Sequence, residues 1–379
     1  MVLLLKEKMR KLKRLFLLCP VRHVLLALGI LSILSFFSFR NIPAFAEAFC
    51  VGIMYPALRS LGEMCNIVSF SVSEVLIFLF FGGILAYTIY NICVIIRKNK
   101  KIEIFYKMIL TYLMCFSLVY AGYCMLWGMG YYAPDFKAQS GIQTRPISAE
   151  ELCAVTEYFA QLSAEYSDKI VRDENGFFAE DMERIFDLSP SLFDGVCADY
   201  PFLDGAPLRA KPFVFSKFLS YIGFTGFIFP FTGETNLNID CPASSIPATI
   251  AHEIAHQRGV SAEDEANFVA VFACLQSSDD AYIYSGALMA YSYLSSALYK
   301  ADYDAWLSIY SALPEDIKAE LRRRSDYWAQ FETPVSSVSE SIYTSFLHSN
   351  GQELGMKSYG ACVDLLVAHY LPQILLGAE

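Results

Sequence analysis

The chain contains little histidine and few charged residues. Only five of its 379 residues are histidines, and Asp, Glu, Lys and Arg together make up 18%. Hydrophobic residues make up 55%, and the mean hydropathy is +0.37. A single soluble globule is not this apolar. The composition therefore excludes an ordinary soluble protein and predicts that part of the chain lies in a membrane, with the lipid bilayer as its partner.

Paired cysteines and basic stripes are also missing. The eleven cysteines are scattered singly, and no two have the C-x-x-C spacing that a thiolate zinc knuckle requires. The net charge is −10, and no basic stripe interrupts the acidic C-terminal part. These absences argue against a zinc knuckle and against nucleic acid as a partner.

Charge divides the chain into two parts. Residues 1–130 carry 14 Lys and Arg against 5 Asp and Glu, whereas residues 131–379 carry 15 against 34. We therefore predict two domains, a basic and apolar membrane anchor at 1–131 and a more polar, acidic domain at 132–379.

Three apolar runs in the anchor are long enough to cross a bilayer. They lie at about 23–39, 75–96 and 108–129. Basic residues cluster in 1–22 and 97–107, which places both segments and the N-terminus in the cytoplasm. Three crossings then put residues 132–379 on the outer face of the cell membrane. The alternative for the first run is a cleaved signal peptide, because Ala44-Phe45-Ala46 resembles a cleavage site, but two further runs follow it.

The domain at 132–379 has mostly helical patterns. Ser148 and Glu151 form a capping box that opens a helix, and helical periodicity continues through 279–370. Residues 213–240 are rich in aromatic residues and punctuated by Gly and Pro, which predicts a strand or hairpin that Pro230 confines to an edge or a bulge. The predicted fold class is mainly α (α+β), with three N-terminal transmembrane helices followed by a mostly helical outer domain with a small β element.

One motif stands out in this domain, the H-E-x-x-H pattern at residues 252–256. His252 and His256 lie four residues apart, so on a helix they project from the same face and their imidazoles can bind one metal ion. Glu253 then lies beside the open coordination position. This is the pattern of zinc-dependent hydrolases, and it predicts zinc as the cofactor.

A catalytic zinc usually takes a third protein ligand. Gly259 ends the motif helix three residues after His256, so the first turn of the next helix can return a carboxylate to the metal. Glu263 and Asn267 share one face of that helix, whereas Glu265 points about 200° away from Glu263. Glu263 is the predicted ligand and Asn267 the residue that orients a ligand imidazole, with Glu265 as the alternative ligand.

The motif followed by Glu263-x-x-x-Asn267 resembles the gluzincin metallopeptidases, whose third ligand is a Glu in an E-x-x-x-D helix. Asn267 stands where those proteins usually have Asp, and the two helices are separated by less chain than is usual. Metzincins have a comparably short return, but with His where this chain has Ala262. The resemblance implies a zincin-like fold for the outer domain.

A longer stretch resembles a bacterial membrane family catalogued as domain of unknown function 3810. It runs from Phe229 through the motif to Asn267, behind three N-terminal spans. Together the two resemblances imply a membrane-anchored zinc metallopeptidase that cleaves a peptide or protein substrate, with Glu253 as general base on the zinc-activated water. The alternative is a non-catalytic zinc-binding or pseudopeptidase module that binds an envelope partner.

Such an enzyme also needs a donor for the oxyanion of its transition state. Arg258, His348, His369 and several tyrosines are available, and their spacing selects none of them.

Overall fold

The computed structural model describes residues 10, 13, 15–97, 101–350, 352 and 359–377. This part of the chain is mostly helical with a few short strands, as the sequence predicts. It divides into two compact units. The N-terminal unit comprises Met1–Met54 and Glu74–Tyr132, and the C-terminal unit comprises Tyr55–Ser73 and Ala133–Glu379.

The first five helices are α1 Pro20–Phe39, α2 Pro43–Phe49, α3 Tyr55–Cys65, α4 Val72–Arg97 and α5 Lys101–Leu126. Of these, α1, α4 and α5 are long and apolar enough to cross a membrane, which confirms the three predicted membrane-length helices. The helix α5 begins at Lys101, before the predicted start at about residue 108. Its first turn contains the charged residues Lys101 and Glu103, so it is not part of the apolar run on which the prediction rests.

The C-terminal unit contains twelve further α-helices among the described residues. They are α6 Phe136–Ser140, α7 Ala149–Ser167, α8 Met182–Leu188, α9 Asp194–Asp199, α10 Ser216–Tyr221, α11 Ile246–Gln257, α12 Glu263–Gln276, α13 Asp280–Ala301, α14 Tyr303–Ala312, α15 Glu315–Ala329, α16 Pro334–Ser349 and α17 Tyr359–Gly377. The predicted capping box of Ser148 and Glu151 is present at the start of α7.

The core of this unit is built around α12. Every residue from Glu263 to Cys274 is buried, and α12 packs against α11, α13 and α17. A helix buried on all sides is normally apolar all round. The acidic first turn of α12 is therefore unusual, because buried carboxylates need partners.

A small sheet covers α11. Its strands are β1 Lys211–Phe213, β2 Gly226–Phe229 and β3 Glu234–Asn238. Their order is β1-β3-β2, with β1 parallel and β2 antiparallel to the fully buried β3. The predicted hairpin is thus confirmed, and β2 lies at an edge of the described sheet with Pro230 directly after it. Both β2 and β3 contact α11.

A buried ion pair holds the segment between α3 and α4, which the domain prediction assigns to the anchor, against the small sheet of the C-terminal unit. Lys211 Nζ lies 2.6 Å from Glu234 Oε1 and donates to the carbonyl oxygens of Cys65 (2.8 Å) and Phe70 (3.1 Å). Glu234 Oε2 in turn accepts from the backbone N–H (2.7 Å) and the hydroxyl (2.6 Å) of Ser73. Sequence patterns miss this because the partners lie more than 130 residues apart along the chain.

Candidate metal centre

The motif histidines lie on α11, and their rings meet edge to face. Pro247 lies in the first turn of the helix, where its missing N–H costs nothing. Gly259 follows the end of the helix with φ +97°, which confirms the predicted left-handed glycine. The imidazole centroids of His252 and His256 lie 4.6 Å apart. Their four-residue spacing on the helix therefore brings both rings to one place.

The chain reverses after Gly259, and α12 begins at Glu263 itself. Glu263 Oε2 lies 3.3 Å from Nε2 of His252 and 3.6 Å from Nε2 of His256. Each of the three residues offers a ligand atom, and these atoms all lie within 4.8 Å of one another. The structure thus brings together the two histidines and the carboxylate on which the sequence prediction depends.

Two contacts hold these side chains in place. His256 Nδ1 donates to the carbonyl oxygen of Val260 at 2.7 Å, so Nε2 is the ring nitrogen that can bind a metal ion once it is deprotonated. Tyr343 Oη on α16 donates to Glu263 Oε1 at 2.5 Å, so the other oxygen of this carboxylate faces the histidines. The sequence gives no signal for Tyr343, because it lies 80 residues after its partner.

The carboxylate and the imidazoles also set each other's charge. Burial favours the neutral form of Glu263, but His256 and His252 outweigh it and hold the pKa of that carboxyl well below its usual range. Burial likewise lowers the pKa of His256, yet the carboxylate of Glu263 raises it to about 9. The Glu263 carboxylate is therefore charged, and positive charge on the imidazole side of the cluster stabilises it. Two imidazole nitrogens and one carboxylate oxygen are the ligand set of many catalytic zinc sites, so these residues fit the ion.

The alternative ligand, Glu265, has a different role. Its carboxylate accepts from the backbone N–H groups of Phe136 (2.9 Å) and Lys137 (3.0 Å) at the start of α6. Burial raises the pKa of Glu265 to about 7. The structure therefore does not bring this residue to the histidines, because its helix position turns it to the opposite side.

Asn267 was predicted to bond a ligand imidazole, and it does not. Its Oδ1 accepts from Tyr293 Oη at 3.2 Å. Within the described part of the chain, the buried Nδ2 of Asn267 and Nδ1 of His252 have no hydrogen-bond partner. A tyrosine on α13, which the sequence does not reveal, bonds this amide oxygen.

Glu253 lies on a different side of α11 and is 4% exposed. Burial raises the pKa of this carboxyl, against the opposing effect of the two imidazoles. Gly226, at the start of β2, leaves the space that the side chain fills. A Cβ at this glycine would lie 2.8 Å from both Cγ and Oε1 of Glu253. The edge strand therefore meets the glutamate of the motif directly.

The remaining histidines of the C-terminal unit lie outside the cluster. His348 is exposed on α16. His369 packs edge-on against the rings of Phe268 and Phe272, where burial lowers its pKa. Arg258 stacks over Phe193. Neither histidine belongs to the cluster of His252, His256 and Glu263. The structure selects none of the three as the oxyanion donor, which stays a prediction.

The family model described as "Protein of unknown function (DUF3810)" matches residues 51–367. The chain belongs to the DUF3810 family. The match includes α4, α5 and every residue of the candidate metal centre. No curated protein and no solved structure matches this DUF3810 chain.

Proposed function

We propose that this DUF3810 protein is a membrane-anchored zinc metallopeptidase with a zincin-like catalytic domain. The observation that supports it best is the convergence of His252, His256 and Glu263 within 4.8 Å, with Glu253 buried next to them on the same helix. The basic segments beside the apolar helices favour a cytoplasmic N-terminus and a catalytic domain on the outer face.

Zinc bound by these three side chains would supply a Lewis acid that polarises the scissile carbonyl and makes water acidic enough to attack near neutral pH. Glu253 takes the proton of the attacking water and passes it to the leaving amine. Tyr343 keeps Glu263 oriented through the hydrogen bond to Oε1.

The substrate backbone has a docking edge in β2. This strand is paired on one side only among the described strands, and its residues Phe227 to Phe229 are partly exposed. An extended peptide can add to such an edge by main-chain hydrogen bonds. Because Gly226 contacts Glu253, a peptide on this edge would pass beside the general base.

Metal analysis tests the ligand set. The full-length protein purified in detergent is expected to bind one zinc ion per chain, and His256→Ala or Glu263→Ala to weaken zinc binding by more than about 100-fold, since each removes a ligand. His348→Ala is the matched control and should bind zinc like the wild type. Undiminished zinc in both ligand variants would contradict the assignment.

Gly226→Ala tests the contact between the edge strand and the general base. The added methyl group forces Glu253 or β2 to move, and a displacement of about 1 Å at a reacting group costs on the order of 100-fold in turnover. Zinc content should not change, because Glu253 is not a ligand. Gly82→Ala on α4, where nothing lies within 4 Å of the added atom, is the control. Equal turnover in all three proteins would show that the strand does not position Glu253.

A further inference from the structure

A cavity of about 300 Å³ lies beside the candidate metal centre. His252 lines it from α11, and Thr225 lines it from the residue just before β2. Thr225 adjoins Gly226, which packs against Glu253. One end of the cavity therefore lies at His252, close to Glu253, and the cavity extends between α11, α13 and α15. A pocket in this position can receive a substrate group next to the scissile bond.

Most hydroxyl groups in the cavity wall already have hydrogen-bond partners. Thr249 Oγ1 donates to the carbonyl oxygen of Ser245 at 2.9 Å, and Ser285 Oγ donates to that of Ser244 at 2.6 Å. Tyr293 donates to Asn267. These groups hold the wall together and leave few donors for a ligand.

Two groups in the wall differ, the Nδ2 donor of Asn267, which has no partner among the described residues, and the guanidinium of Arg324 on α15. Among the described residues that line the cavity, Arg324 is the only Asp, Glu, Lys or Arg. Its Nη1 lies 3.5 Å from Ser292 Oγ, and no carboxylate of the described residues lies within 4.0 Å of its guanidinium. A guanidinium has five N–H donors in a fixed fork. Among the described residues, the hydroxyl of Ser292 is the one acceptor that this fork meets, in an otherwise acidic domain.

We propose that this cavity is the subsite for a carboxylate-bearing residue of the substrate and that Arg324 binds the carboxylate. The proposal rests on the peptidase function above and adds a substrate class to it. The guanidinium fork matches a carboxylate with two parallel hydrogen bonds. Leu288, Met289 and Trp328 form the apolar part of the wall, against which the aliphatic stem of an acidic residue can pack.

The carboxylate has two possible sources, an acidic side chain within the peptide or the free C-terminus of the peptide. Three matched peptide sets separate them. The first carries Glu scanned through each position with an amidated C-terminus, the second carries Gln instead, and the third carries Gln with a free C-terminus. The proteins compared are full-length, zinc-loaded wild type, Arg324→Gln and Arg322→Gln. Arg322 is the control, because it lies two residues away, is exposed, lies 3.6 Å from Glu315 and does not line the cavity.

The wild type is expected to cleave one of the two carboxylate-bearing sets about 10- to 100-fold more efficiently in kcat/KM than the neutral set, as charge-assisted hydrogen bonds provide. Arg324→Gln should remove that preference, and Arg322→Gln should keep it. Preference for the first set identifies an acidic side chain, and preference for the third identifies the chain terminus. Equal cleavage of all sets by the wild type, or a preference that survives in Arg324→Gln, would overturn the subsite while leaving the peptidase function intact.

Measurements of peptide binding test whether the cavity is a carboxylate subsite, even if no peptide is cleaved. Calorimetric titration of the same peptides into Glu253→Gln, with and without Arg324→Gln, measures recognition without turnover. A preference of about tenfold or more for carboxylate-bearing peptides that is lost in Arg324→Gln supports the subsite. If the wild type then cleaves none of the peptides, that result counts against the peptidase function alone. Equal binding of charged and neutral peptides overturns the subsite.

Discussion

Replacement of Glu253 by Gln should lower peptide turnover by about 100- to 10,000-fold, the range over which a positioned general base contributes. The amide is nearly the same size as the carboxylate, so it fits the space beside Gly226. It cannot accept the proton of the attacking water. Zinc content should equal that of the wild type, because His252, His256 and Glu263 are untouched. Mass spectrometry of cleaved peptides and elemental analysis of the same preparation provide the two measurements.

Glu265→Gln is the matched control for this experiment. Glu265 is also a buried glutamate with a raised pKa, but it caps α6. The amide oxygen keeps one of the two backbone hydrogen bonds and loses the other, which lowers stability. The residue is not part of the cluster with the histidines, so zinc content and turnover of the folded protein should both be retained. Turnover by Glu253→Gln within about twofold of the wild type would remove the general-base role. An inactive wild type whose biological effect persists in Glu253→Gln would instead favour a zinc-binding module with an envelope partner.

Local periodicity made the centre of this site predictable. The spacing of His252 and His256, the break at Gly259 and the face shared by Glu263 and Asn267 all follow from the geometry of one or two helical turns. The preference for Glu263 over Glu265 follows from the same geometry, and the structure brings the former to the histidines. The three apolar helices were predictable for a similar reason, because the length of an apolar run is a property of contiguous sequence.

Contacts between distant segments were not predictable. Tyr343 reaches Glu263 across 80 residues, and Tyr293 takes the amide oxygen that was expected to orient an imidazole. The fit of Gly226 against Glu253 depends on how β2 lies over α11. A tyrosine or a glycine has no periodic signature, and many occur in this chain. Only the packed fold distinguishes those that support the site.

The ion pair of Lys211 and Glu234 is another contact between distant segments, and its removal should have a large effect on stability. Lys211→Met should lower the free energy of unfolding by about 3–5 kcal/mol, because it leaves the buried Glu234 carboxylate without its cation. The side chains of this pair are 1% and 3% exposed. Arg59→Met is the control, since the Arg59–Glu63 pair on α3 is 50% and 53% exposed and should contribute at most about 1 kcal/mol. Denaturant unfolding of the full-length protein in one detergent gives both values.

The double variant Lys211→Met, Glu234→Gln separates the cost of an unpaired charge from the cost of lost packing. Removing both charges leaves no buried ion, so the double variant should be more stable than Lys211→Met alone. It should stay less stable than the wild type, because the carbonyl oxygens of Cys65 and Phe70 lose the ammonium donor. A chain that begins at residue 133 lacks these carbonyls and also the donors of Ser73, so it is expected to fold poorly. Equal stability of Lys211→Met and Arg59→Met would show that the segment between α3 and α4 is held by something other than this ion pair.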